Sequence, residues 1–331
     1  MKITGRRVKG ILVKIVQFTS LMCYLKLETL AYADDETAIS CDKNDPTIEN
    51  IHMREIREQT DPEQLTRWFE PQSKIEGVAL IVHGLNNKPP VMNNLAFLFA
   101  ENGIRGLRTS LSGHSGNLDA MKNVQAAQWK DDFFQSYCVA HLFAKENNLP
   151  LYLVGYSLGA LSGLNVSVSS MYEKISFDHM FMIAPPISVR FFVYLLKIFN
   201  PFKSLIIPSA NIESYRATPG TSIAAYDALS SLQSELLELT PKQQLKNSAA
   251  TIFIHNDDEL VSVSGVEKYI STNNLQNWKL IKLTNDDFTS EKKINHLIID
   301  EKSLGMKSWT ILKNQIRLDI QNIVSPKKVT P

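Results

Sequence analysis

The chain has 331 residues, room for one large α/β domain or two small ones, and its 44% apolar and 21% charged content excludes a disordered or fibrous protein. The formal charge of +1 hides an asymmetry. Residues 1–33 carry six basic groups (Lys2, Arg6, Arg7, Lys9, Lys14, Lys26) against the single acid Glu28, so the chain's 35 basic and 34 acidic residues fall to 29 and 33 beyond them. A mildly acidic body of this kind argues against nucleic acid as a partner.

In chain order, the basic opening MKITGRRVK leads into an apolar stretch over residues 15–25, then to Ala31-Tyr32-Ala33 ahead of Asp34-Asp35. This is the layout of an export signal cleaved after residue 33, with secretion or a periplasmic location as its consequence. The competing reading, an uncleaved anchor, needs a longer apolar run than this one. Cleavage would leave Cys41 and Cys138, whose redox state the sequence does not decide. Residues 34–63 are polar with little periodicity and read as an arm lying on the domain.

From residue 64 the pattern becomes ordered. A short strand over 65–69 ends at Pro71; 78–82 is a continuous apolar run, the mark of a strand buried on both faces, and stops at His83-Gly84. Helical spacing over 91–101, a strand over 103–111 and a long amphipathic helix over 125–147 follow. Strands are expected at 149–154, 180–184, 251–255 and 278–283, and a closing helix at 308–324. Apolar strands alternating with helices predict a mostly parallel sheet covered on both faces. The interval 187–249 breaks the alternation. It contains Phe191-Phe192-Val193-Tyr194-Leu195-Leu196, then Ile198-Phe199, Pro201-Phe202 and Leu205-Ile206-Ile207, with a second helical portion over 222–239. It reads either as an ordinary helix buried on its apolar side or as a lid whose apolar face meets an acyl chain or a lipid surface.

Gly155-Tyr156-Ser157-Leu158-Gly159 lies where an apolar strand stops and a helix begins. That strand–turn–helix context makes Gly-x-Ser-x-Gly a nucleophile elbow: the serine occupies a strained corner, and the small neighbours avoid collisions there. The bland alternative is a glycine-rich turn with a capping serine. A serine hydroxyl needs a base, and the base needs an orienting acid. For such an elbow the chain order is serine, acid, histidine. Asp257 and Asp258, in NDDELVS at the end of the 251–255 strand, are the acid candidates, and both stay open on position alone. His296 is the one histidine after them; His52, His83, His114, His141, His179 and His255 precede the acid. No pair among these has zinc-ligand spacing, so no metal is expected. Two backbone N–H groups, of Leu158 after the serine and of Leu85 past the 78–82 strand, are expected to form the oxyanion hole.

The segments GVALIVHGL, SLSGHSG, VGYSLGA, NDDELVS and NHL, in this order, resemble the α/β-hydrolase superfamily, and within it the monoacylglycerol lipase, lysophospholipase and serine aminopeptidase group. The likeness spans about residues 64–324. Leu111-Ser112-Gly113-His114-Ser115-Gly116 is similar to the group's Gly-His-Gly-x-Ser segment, with Ser110 to Ser112 where Asp and Pro are usual. Trp129 and Asp132 match its Trp-x-x-Asp. Asp258 is favoured over Asp257 because Asp-Glu-Leu-Val matches the group's Asp-x-x-Val. The resemblance implies an α/β-hydrolase fold with a helical cap inserted after the sixth strand. With the signal (1–33) and arm (34–63) read above, the chain divides further into core (64–186), cap (187–249) and core (250–331). The resemblance also implies a cofactor-free serine hydrolase acting on carboxylic esters with apolar acyl groups. An acyltransferase or peptidase with the same triad, and an inactive binding module, are the alternatives. Lipid-surface contact through the cap is a further expectation.

Overall fold

The computed structural model describes residues 38–44, 46–190, 198–239, 243–284 and 294–324. The predicted signal and the 191–196 run lie outside them. Among the described residues the apolar runs become strands β1 (Arg67–Phe69), β2 (Gly77–Val82), β3 (Ile104–Thr109), β4 (Leu151–Tyr156), β5 (His179–Ile183), β6 (Ile206–Pro208), β7 (Gly220–Ser222), β8 (Ala249–His255) and β9 (Trp278–Leu283). Seven of them form one sheet in the order β1-β3-β2-β4-β5-β8-β9, parallel except for the antiparallel edge strand β1. This is the α/β-hydrolase architecture.

Alternation along the strands explains why these runs are apolar throughout. Val78, Leu80 and Val82 pack on one face with Trp129 and Phe133 of the helix Ala126–Glu146, Leu161 and Leu164 of Leu158–Val168, and Leu232 of Ile223–Glu238. Ala79 and Ile81 pack on the other with Leu95 and Phe99 of Asn93–Glu101 and with Leu312 and Ile316 of Met306–Val324. A strand covered on both sides has no solvent face to keep polar.

The arm carries a helix, Ile48–Arg57, begun by Thr47, whose hydroxyl accepts the Asn50 amide at 3.2 Å. Its periodicity is masked because Glu55 occupies a buried position, accepting from Thr66 N at 2.9 Å and Thr66 Oγ1 at 2.6 Å. The insertion leaves the sheet after β5 and rejoins it at β8. It also contains a two-stranded ribbon, β6 with β7, too short to read from sequence. Within 187–249, the helix Ile223–Glu238 packs against the core helix Leu158–Val168 and supplies Ala225, Ala228, Leu232 and Leu236 to the main cluster.

Cys41 and Cys138 form a disulfide across 97 residues of sequence, pinning the arm to the long helix. A cross-link closing so long a loop restricts the unfolded chain. Replacing both cysteines by serine is expected to cost about 2–4 kcal/mol of stability, read from the urea midpoint, with reductant then having no further effect.

Candidate active site

The sheet order puts the topological switch between β2 and β4. Chain crossovers leave in opposite directions there, which opens a crevice at the strands' C-terminal ends. Ser157 follows β4 directly, and its backbone (φ 46°, ψ −111°) lies in the left-handed region that L-residues avoid. The strain is held on both sides. A Cβ on Gly155 would sit 2.6 Å from the Ala160 backbone, and one on Gly159 would meet Val82, 2.7 Å from its carbonyl carbon. The Ser157 amide donates to Ile183 O on β5 at 2.8 Å. Only this sharp corner lets the helix Leu158–Val168 start immediately after the serine and aim its N-terminus at the hydroxyl.

The three predicted side chains meet. Ser157 Oγ is 2.9 Å from His296 Nε2, and His296 Nδ1 is 2.9 Å from Asp258 Oδ2; all three residues are buried. Nδ1–H donates to the carboxylate, so the Nε2 lone pair faces the serine hydroxyl. Asp258 Oδ1 accepts the Leu260 and Val261 amides at 2.8 and 2.7 Å, which fixes the carboxylate plane. Asp257 is exposed, and its backbone carbonyl accepts Asn295 Nδ2 at 3.0 Å. Glu259 accepts the His296 backbone amide at 3.1 Å. The acidic run thus holds the histidine segment at three points.

Burial pushes the Asp258 carboxyl up. The His296 charge and hydrogen bond, with the Val261 and Leu260 amides, outweigh it and hold the group below the usual carboxylate range. Burial likewise pushes the His296 imidazole down, and Asp258, joined by Glu259, overcomes this and raises it above 6.5. The imidazolium is therefore favoured where it would form.

The expected oxyanion donors lie at the same edge. Val82 pairs with Gly155, so the turn after β2, with Leu85, comes up beside Ser157. Leu158 is the first residue of its helix and its amide has no partner within it. The β2 turn is held by two buried histidines. His83 Nε2 accepts Leu111 N at 3.1 Å while its Nδ1 bonds Gly84 O at 2.9 Å. His114 Nε2 accepts Asn86 N at 3.0 Å, and its Nδ1 bonds Ser112 O at 3.1 Å. Burial lowers both, His83 well below 6.5 and His114 to about 4, so each stays a neutral imidazole with one donor and one acceptor. Their role is to tie loops together.

Where the sequence has Ser110 to Ser112, the turn is braced from outside. Asp132 Oδ2 accepts Ser112 N at 2.7 Å, Trp129 Nε1 donates to Ser112 O at 2.9 Å, and Arg54 of the arm donates to Ser110 O at 2.7 Å. Asn86, with φ 52°, ties the β2 turn to the insertion: its Oδ1 accepts Thr218 N at 2.8 Å and its Nδ2 donates to Thr221 Oγ1 at 3.1 Å. Tyr215 Oη reaches onward to Asp300 Oδ2 at 3.0 Å. The segment 215–221 is thereby strapped between the β2 turn and the chain after His296. Arg54, Asn86 and Glu259 carry no motif; their neighbours in space are far away in sequence, which is why sequence reasoning missed them.

Among the described residues, Cys41, Cys138 and Glu173 make a cluster of metal-ligand type, but the disulfide occupies both sulfurs and Glu173 accepts the Cys41 amide at 2.8 Å. No described helix is long and apolar enough to cross a membrane.

A switch-point elbow with a serine, an imidazole and a carboxylate in one hydrogen-bonded line defines an α/β-hydrolase. The chain belongs to the serine aminopeptidase, S33, family, whose profile matches residues 73–267. Solved structures with this fold include a metagenome-derived lipolytic enzyme of the LipS and LipT pair (19% identity, 80% of this chain and 100% of that one, TM-score 0.58). Another is a soluble variant of the monoglyceride lipase from Saccharomyces cerevisiae with a substrate analogue bound (13% identity, 78% and 91%, TM-score 0.63). A third is the monoacylglycerol lipase of Paleococcus ferrophilus (12% identity, 77% and 98%, TM-score 0.54). At these identities the likeness is one of fold. A comparison with curated proteins gives no match.

Proposed function

We propose that the protein is a serine hydrolase cleaving carboxylic esters with apolar acyl groups, of the lysophospholipase, monoacylglycerol lipase or carboxylesterase kind. The observation that carries the reading is the line Ser157 Oγ–His296–Asp258, with both hydrogen bonds at 2.9 Å. Ser157 Oγ attacks the ester carbonyl carbon as His296 Nε2 takes its proton. The Leu85 and Leu158 amides hold the oxyanion, and Asp258 balances the imidazolium. Collapse expels the alcohol, which leaves with the proton from Nε2. Water then attacks the acyl-enzyme, giving its proton to Nε2, and the acid departs as Ser157 regains its hydrogen. The cycle needs no cofactor.

Preference for apolar acyl groups is supported by the insertion, where Ile198 (71% exposed), Phe202 (65%) and Leu205 stand out to solvent beside Phe199. A ridge of this kind suits contact with a lipid surface. Export to an oxidising compartment is supported by the disulfide and by the signal-like residues 1–33. The family's aminopeptidase description favours a second reading, amide cleavage by the same triad. The deciding experiment is a panel of esters graded by acyl length, run with and without phosphatidylcholine vesicles, beside aminoacyl amides. Turnover is expected to rise with acyl length and to respond to vesicles. A protein that cleaves only aminoacyl amides, or that turns over nothing and resists fluorophosphonate labelling, sinks the ester reading.

The base must be neutral to act, so kcat/KM is expected to rise with pH through the raised His296 pKa. Glu259→Gln removes one of the negative charges that raise it. The acid limb of the profile should therefore move to lower pH. An unmoved limb contradicts this account of the imidazole.

A further inference from the structure

One heavily bonded side chain behind the site comes from outside the family match, which begins at residue 73. Arg54 lies on the arm helix Ile48–Arg57. Its Nη1 is 3.0 Å from Asp132 Oδ1 and donates to Ser112 Oγ at 3.1 Å, and its Nη2 donates to Ser110 O at 2.7 Å. The second oxygen of Asp132 accepts Ser112 N at 2.7 Å, and Ser112 O bonds His114 Nδ1 at 3.1 Å. His114 Nε2 accepts the Asn86 amide at 3.0 Å, and Asn86 is bonded covalently to Leu85, the expected oxyanion donor. Asp132, Ser112, His114 and Asn86 are buried, and the Arg54 side chain is 16% exposed. A second contact from the same helix end, Glu58 Oε2 accepting Gly113 N at 3.1 Å, falls on the same turn.

We propose that Arg54 is a positioning residue for the Leu85 side of the oxyanion hole, which makes the arm a working part of the active site. The inference rests on the ester-hydrolase reading. The 110–114 turn contains no proline, and one of its residues, Gly113, has φ +80°, so its own sequence does little to restrict it. Beside the Trp129, His83 and Glu58 bonds to it, the turn is held by a planar cation making three bonds in fixed directions, two to the turn and one to the carboxylate that grips the turn's amide. His114 is neutral, with one acceptor nitrogen, and that nitrogen is committed to Asn86 N. Any shift of the turn thus acts on the peptide next to Leu85. Hydrolysis demands that this donor be correctly placed where the oxyanion forms, not where the ground-state carbonyl lies.

The test compares wild type, Arg54→Met and Arg54→Lys in ester turnover, in affinity for an apolar trifluoromethyl ketone, whose adduct with Ser157 bears an oxyanion, and in affinity for a long-chain alcohol, which binds without one. Arg54→Met is expected to lower kcat by about 10- to 100-fold with KM unchanged. Ketone affinity should fall in step and alcohol affinity stay constant. Arg54→Lys keeps the charge against Asp132 but cannot span the three acceptors. It should fold with a Tm close to wild type and still lose kcat, and it carries the test alone if Arg54→Met does not fold. Unchanged kcat in the folded variants overturns the proposal. So does a loss of kcat, ketone and alcohol binding in equal proportion to the folded fraction. Both outcomes leave the ester reading standing; a wild type that turns over no ester removes that reading and this inference together.

Discussion

Ser157→Ala is expected to abolish turnover of p-nitrophenyl butyrate and to remove fluorophosphonate labelling, with the folded protein otherwise intact. Loss of a serine nucleophile costs about 10³- to 10⁶-fold in kcat, because the remaining oxyanion donors have no covalent intermediate to stabilise. The fold should tolerate the change. The hydroxyl's bond is to His296, while the backbone bond that anchors the corner, Ser157 N to Ile183 O, is kept. Alanine has the same Cβ as serine, so the strain at φ 46° is not increased. A Tm near wild type with no activity is the expected pair of measurements. Full activity in the variant would leave the elbow without its assigned chemistry.

The two adjacent aspartates should behave very differently. Asp258→Asn is expected to lower kcat by about 10³- to 10⁴-fold. An asparagine can still accept the Leu260 and Val261 amides with its oxygen, so the loop stays in place. Its NH2 group then faces His296 Nδ1, which must become the acceptor. The ring proton moves to Nε2, where it faces Ser157 and cannot take the hydroxyl proton. Asp257→Asn changes an exposed side chain whose backbone carbonyl, not its carboxylate, holds Asn295. Its kcat should stay within about twofold, in the range of ordinary surface changes. Equal losses in both variants would mean that the acid has been misassigned.

The serine and histidine were legible because each rests on a local pattern or on elimination: an elbow between an apolar strand and a small-residue helix, and a single imidazole after the acid. Asp258 and Asp257 could not be separated by position, since both follow the same strand. The distinction lies in a turn of three residues that curls the Leu260 and Val261 amides onto one carboxylate. Strand β2 is legible within a residue because six consecutive buried positions leave little ambiguity. The arm helix was not, because its inward face bears Glu55 and Arg54, whose partners Thr66 and Asp132 lie elsewhere in the chain. The pairing of Cys41 with Cys138 was equally hidden, since only the folded chain brings positions 97 apart together. The helix Ile223–Glu238 was found, but its place on the core depends on a surface offered by Leu158–Val168, which no pattern within 222–239 could announce.

The disulfide and the arm helix make the boundary of the family match a poor place to cut the polypeptide. A fragment starting at residue 73 would retain Ser157, Asp258 and His296 yet strip the cation from Asp132, and it would turn Cys138 into an unpaired thiol on the long helix. Two such fragments could then couple through that sulfur on oxidation. Diminished hydrolysis and covalent dimers from a trimmed protein would report on the missing 72 residues, not on the chemistry of the serine.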